Sequence, residues 1–245
     1  MPEGVSGRTK KIVNGNRQTK LIRKIWDVIS PMVFIVLCLL AVTMAGLLAG
    51  GMISGLPIGY SISELYPAAP VLISLVCYLI TIFTQRKIYK RDALRFGERK
   101  NRWSIGQLVI STAAAFGAAV VLNLLIAVSG LMELFPSYAE QSAASFAGQP
   151  PLLLAAAVVV VGPIAEELVF RGMTYERIRN YLGVKPAVII SSLMFGLWHG
   201  NVVQFVYAFI VGIILSVYYE KSGSLHACVL AHMAMNAFAV TSFIG

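Results

Sequence analysis

Six side chains in the second half of the sequence are ionisable or hydrogen-bonding groups whose helical spacings mark a candidate functional site. Glu166, Glu167 and Arg171 lie in PIAEELVFRG, His199 lies in FGLWHG, and His232 and Asn236 lie in HMAMN. At about 100° per residue in a helix, Glu167 and Arg171 form an i,i+4 pair in the favourable order, acid before base. Arg171 stands about 140° around the helix from Glu166, so it compensates Glu167 and leaves Glu166 without a cation. The same four-residue step puts Phe195 and His199 on one face, and His232 and Asn236 on another. Each feature has a plain structural reading: a buried Glu–Arg pair can hold two helices together, an intramembrane His can be a hydrogen-bonded packing residue, and Asn is a familiar interhelical contact. The combination points to function, because an uncompensated carboxylate, two histidines and an amide occur together in one short stretch of chain. No Ser/His/Asp or Cys/His arrangement competes at these positions. The third histidine, His226, stands at the start of its apolar run and reads as a solvated or capping residue. The aromatic set Phe195, Trp198, Phe205 and Tyr207 reads as packing without chemistry.

These residues are carried by an unusually apolar chain. Of 245 residues, 58% are apolar and 13% charged, with a mean hydropathy of +0.77, against roughly 45–50% and about 25% in soluble domains. The fold class expected is all-α: a polytopic helical membrane protein of about seven transmembrane helices, each near the ~20 residues a bilayer requires. The apolar runs are Val28–Ala49, Ala68–Thr84, Ile105–Val128, Pro151–Arg171 with a polar continuation, Pro186–His199, Val202–Tyr219 and Leu225–Phe243. Residues 1–27 form a basic N-terminal segment, 28–245 the transmembrane domain, and 151–243 its functional core. Met173–Tyr181 is either an interfacial helix or the end of the fourth span, and the second reading is preferred. Cys38, Cys77 and Cys228 sit in apolar runs with neither disulfide nor zinc-finger spacing, so they read as small buried residues.

The net charge of +9 does not indicate nucleic acid. Seven Lys and Arg lie in Arg8–Lys24 and eight in Arg86–Arg102, with none between Lys24 and Arg86 or between Arg102 and Arg171. Basic blocks that punctuate long uncharged stretches follow the positive-inside rule. The N-terminus is therefore expected in the cytoplasm, with Arg86–Arg102 and Arg171–Lys185 on the same side and the C-terminus outside. The connections Gly50–Pro67 and Ser129–Pro150 carry only Glu64, Glu133 and Glu140. Folding the fourth and fifth spans at Tyr181–Leu182–Gly183 places Glu166 and His199 at equal height, each about 24 Å from the turn. His232 lies only about 13 Å above the turn at Ser222–Ser224, so tilt or a re-entrant start must make up the difference. Ionisable groups at such depth are costly and mark function.

EELVFR, FGLWH and HMAMN, in this order on separate apolar helices, resemble the three motifs of the CPBP family, the CAAX-protease and bacteriocin-processing intramembrane endopeptidases also called Abi. EExxxR is matched by Glu166, Glu167 and Arg171, FxxxH by Phe195 and His199, and the third motif by His232 and Asn236; the resemblance covers roughly Pro151–Phe243. It implies hydrolysis of a peptide bond, with Glu166 and His199 activating a water, His232 and Asn236 stabilising the oxyanion, and Glu167 and Arg171 in support. Elementary chemistry agrees. A general base works best with a pKa near the working pH, and desolvation moves an unpaired carboxylate in that direction, which suits Glu166 better than Glu167. Amide and imidazole N–H groups can donate to a developing oxyanion.

No cofactor is favoured. Zinc remains open, since Glu166, His199 and His232 could supply three ligands and leave a fourth position free, although HExxH is absent. Two other classes also remain open: a non-catalytic membrane peptide-binding or bacteriocin-immunity protein, and a transporter, for which no inverted repeat is found. The expected partners are the lipid bilayer and a peptide or precursor-protein substrate. The short chain leads to the expectation of a bacterial cell membrane, where the resemblance implies a leader, pheromone or bacteriocin precursor as substrate.

Overall fold

The computed structural model describes residues 4–54, 68–138, 140 and 147–244, with side chains over 18–49, 68–138, 140 and 147–240. Of the expected connections, residues 55–67, which include Glu64, and 141–146 lie outside the described residues, as do 1–3. Seven principal helices carry the fold, and no strand occurs among the described residues. They are α1 (Gly4–Ser54), α2 (Ala69–Phe96), α3 (Ile105–Val128), α4 (Pro151–Leu182), α5 (Val184–Trp198), α6 (Val202–Ser222) and α7 (Leu225–Ile244). Stretches of α1, α2, α3, α4 and α6 are long and apolar enough to cross a bilayer, while α5 and α7 are shorter apolar helices. The protein is thus a polytopic helical membrane protein, as its composition requires.

Local signals explain where the helices begin and end. Ser104 caps α3 in a reciprocal capping box with Gln107, and Asn201 caps α6 by accepting the Gln204 backbone N–H at 2.8 Å. Between α4 and α5 the chain reverses at Gly183, whose φ of +92° suits a residue without Cβ. Met173–Tyr181 continues α4 without a break. Two basic segments read as connections or tails are helical: the N-terminal block runs straight into the first span within α1, and 86–96 extends α2.

The central helix is α4. Half of its apolar window is buried, compared with 6% of that of α1, so α4 is largely enclosed by other helices while the apolar window of α1 is left uncovered by protein. It is also irregular, with π-helical turns at Ala155–Val161 and Leu168–Tyr175 on either side of a regular stretch, Gly162–Glu167. Pro163 accounts for the first. A proline has no N–H to donate and its ring crowds the preceding turn, and a wider turn upstream relieves that crowding. The Gly162 N–H reaches back five residues to the Ala157 carbonyl.

The arginines of the basic blocks do not simply face solvent. Arg95 pairs with Asp27 at 2.8 Å, Arg99 with Glu176 at 2.9 Å, Arg177 with Asp92 at 2.6 Å and Arg179 with Glu220 at 2.9 Å. These pairs tie α1, α2, α4, α6 and the segment after α2 into a charged layer at one end of the bundle. Leu225, the first residue of α7, packs near Gly172, well above the end of α4 at Leu182. The last turns of α4 therefore project past the start of α7. That offset, rather than tilt alone, brings His232 level with the glutamates.

Candidate active site

Glu166 and Glu167 end the regular stretch of α4, and both are buried, Glu166 at 6% exposure and Glu167 at 0%. The two carboxylates have different partners. Glu167 Oε1 accepts from Arg171 Nη1 at 2.8 Å, and both side chains of this pair are at most 1% exposed. Arg171 also donates through Nη2 to the Gly212 carbonyl of α6 at 3.2 Å, and its guanidinium lies 4.4 Å from the centre of the Phe195 ring. Glu167 Oε2 and Arg171 Nε are buried without a hydrogen-bond partner. Glu166 has no Lys or Arg partner among the described residues. Its Oε1 accepts from Tyr78 Oη at 2.9 Å and from Trp198 Nε1 at 3.2 Å, both neutral donors. The pairing expected from helical phase, Glu167 with Arg171, is present in the geometry.

His232 of α7 stands between the two carboxylates. Its Nδ1 is 2.9 Å from Glu167 Oε1 and its Nε2 is 3.8 Å from Glu166 Oε2. An ionised carboxylate can only accept, so Nδ1 carries the proton in this contact. Nε2 of the same ring is the nitrogen turned toward Glu166.

His199 caps the C-terminal end of α5. Its Nδ1 lies 2.9 Å from the Phe195 carbonyl; a carbonyl also only accepts, so Nδ1 donates there and Nε2 is the nitrogen left for other partners. Among the described residues His199 makes no hydrogen bond or ion pair with Glu166. Instead α5 meets Glu166 through the adjacent Trp198, which confirms the equal height of the two helices but changes the residue in contact. The Phe195 ring packs edge to face with His199 and His232 at 5.0 and 5.7 Å and with Phe170 at 5.1 Å, so it fixes the spacing of both imidazoles.

Asn236 donates to the Val158 carbonyl at 2.9 Å, and the reason is local to α4. Within a π-turn the carbonyl of residue 158 would pair with the N–H of residue 163, which is Pro163 and has none, while the Gly162 N–H is already given to Ala157. Asn236 satisfies an acceptor that the proline leaves without a donor. One of its two amide N–H groups is committed in this way and one remains. His226 is exposed, as expected.

Two participants escaped the sequence reading. Trp198, read as packing, donates to Glu166, and its place beside His199 in FGLWH was the available signal. Tyr78 lies on α2, outside the segment that carries the motifs, and nothing in its apolar surroundings sets it apart. Among the described residues no group of three or more His, Cys, Asp and Glu is placed to hold a metal ion.

The fold and these contacts define a helical membrane protein with a buried glutamate pair bridged by a histidine. Residues 148–238, which contain all three motifs, match the family described as type II CAAX prenyl endopeptidase Rce1-like. The chain is also 24% identical over 174 residues, 69% of its length and 68% of the relative's, to the protein of Bacillus subtilis (strain 168) named "Putative membrane peptidase YdiL". No solved structure matches. The two matches bear out the resemblance to the CPBP family over the segment that carries its motifs.

Proposed function

We propose that this protein is an intramembrane endopeptidase that hydrolyses a peptide bond of a membrane-associated peptide or protein precursor, using a water activated by Glu166 and His199. The observation that carries the reading is the asymmetry of the glutamates. Glu167 is consumed by Arg171 and His232, whereas Glu166 keeps Oε2 free of a close partner, 3.8 Å from His232 Nε2.

The steps follow from the atoms. A water held by Glu166 Oε2 and by the lone pair of His199 Nε2 attacks the carbonyl carbon and gives its proton to Oε2. The oxyanion of the tetrahedral intermediate accepts from His232 Nε2, in the form of the ring that carries a proton there, and from the remaining N–H of Asn236. When the intermediate collapses, the C–N bond breaks and the leaving amine takes the proton back from Glu166. Preorganised donors of this kind are worth most in a site removed from bulk water. The CAAX-type family match and the relative named as a membrane peptidase support the same reaction class, and a bacterial cell membrane fits that relative's source.

The test uses purified full-length protein in detergent, incubated with a defined peptide library and analysed by mass spectrometry. Wild type is expected to generate discrete cleavage products, and Glu166→Gln, which keeps size and removes the base, is expected to retain its fold and bind peptide without cutting. Cleavage by Glu166→Gln at the wild-type rate would refute the assignment.

A further inference from the structure

We propose that Tyr78 and Trp198 are positioning residues that hold Glu166 by one carboxylate oxygen and reserve the other as the proton acceptor. This rests on the peptidase reading above and extends it to α2, outside the motifs and outside the segment matched by the family.

Both donors converge on Oε1, Tyr78 Oη at 2.9 Å and Trp198 Nε1 at 3.2 Å. A Tyr or Trp in an apolar interior needs a partner for its polar tip, and that need alone would be met equally well by one donor on each oxygen. Convergence on a single atom has a different consequence. The carboxylate plane is held from two helices at once, and Oε2 keeps its lone pairs in a site where Glu166 is only 6% exposed. Rotation of the carboxylate would break both hydrogen bonds together.

The local packing is arranged around this contact. A Cβ at Gly162 would stand 2.8 Å from the Ala157 carbonyl oxygen and 3.2 Å from Tyr78 Cε2, so a larger residue there would displace the backbone carbonyl and press on the Tyr78 ring one turn before Glu166. Trp198 is the last residue of α5, set at this height by the α4–α5 reversal. Three helices thus meet on one oxygen, and the catalytic residue itself is oriented by groups that never touch substrate.

The experiment takes the full chain in detergent and reads two quantities. The carboxylate bands of Glu166, isolated as the infrared difference between wild type and Glu166→Gln, are compared with the same difference in a Tyr78→Phe background. Turnover and KM are measured on a peptide that wild type cleaves. Tyr78→Phe keeps the ring and removes one hydrogen bond to a charged acceptor, so the bands are expected to shift and kcat to fall about tenfold with KM unchanged. Trp198→Phe makes the same test from the other donor, and the double variant is expected to lose more than either. Bands that stay in place in both single variants overturn the proposal whatever the activity. Bands that shift while kcat holds overturn it as well, because the contacts would then be structural. If wild type cleaves no peptide while the bands shift, the peptidase reading falls and the anchoring of Oε1 stands.

Discussion

The contact between Asn236 and the Val158 carbonyl makes a quantitative prediction, because the structure identifies why that acceptor is free. An ordinary interhelical hydrogen bond inside a membrane is worth about 0.6 kcal/mol and up to about 1.7, since the separated partners find others. Val158 has no such alternative: the next donor in register is Pro163, and the Gly162 N–H is engaged with Ala157. Asn236→Ala should therefore leave a partly buried carbonyl unpaired, at a cost of about 1–3 kcal/mol. Pro163→Ala restores a backbone N–H next to that carbonyl. In the Pro163→Ala background, the cost of Asn236→Ala should shrink to about the ordinary interhelical value. The assay is a double-mutant cycle on unfolding free energy, measured for the four proteins by denaturant titration in detergent. The expected coupling between the two positions is about 1 kcal/mol or more. Additive losses, with Asn236→Ala equally costly in both backgrounds, would show that the proline does not create the need for the amide, and the explanation of the π-turn would fail. The cycle reads stability alone, so it is independent of any catalytic part played by the second N–H of Asn236.

Two further predictions concern charge. Glu167→Gln removes the partner of an arginine that is 1% exposed, so it is expected to lose about 3–5 kcal/mol of stability, seen as a lowered midpoint of thermal unfolding in detergent; a variant as stable as wild type would mean that Arg171 is compensated elsewhere. A single cysteine at the exposed position Lys90, in a chain with Cys38, Cys77 and Cys228 replaced, is expected to react with an impermeant thiol reagent only after the cytoplasmic face is opened, and labelling in intact cells would reverse the orientation assigned from the basic blocks.

The parts of this structure that were legible in the sequence are those written in regular periodicity or in charge. The apolar run Ile105–Val128 coincides with its helix to the residue, and the structure shows a Ser104–Gln107 capping box at its start. The pairing of Glu167 with Arg171 followed from a four-residue step, and the common height of Glu166 and α5 from counting to a turn. What was not legible depends on pairs far apart in the chain or on uniform stretches. Tyr78 and Glu166 are 88 positions apart, and a tyrosine among apolar neighbours gives no hint of which helix it faces. The arginines of the basic blocks were visible, but their acidic partners on α1, α2, α4 and α6 were distributed singly. The run AAAVVVV carries no phase at all, so its π-turn could not be read from the spacing of its side chains.

The irregularity of α4 also determines how far a helical-wheel argument reaches. Each π-turn takes more residues than an α-turn, so the phase of side chains before Val161 is not that of side chains after it, and a wheel drawn over the whole of α4 would misplace one end. The six residues Gly162–Glu167 are regular, and within them the rotation of about 100° between consecutive positions holds. That short segment is what turns two adjacent glutamates toward different neighbours: Glu166 toward α2 and the end of α5, and Glu167 toward Arg171 and α7. Proline at its second position makes the wider turn before it necessary, Asn236 satisfies the carbonyl that the proline strands, and glycine at its first position admits the Tyr78 ring. The first π-turn, the Asn236 contact and the room for the Tyr78 ring therefore share one origin, the Gly162–Pro163 pair three and four residues before Glu166.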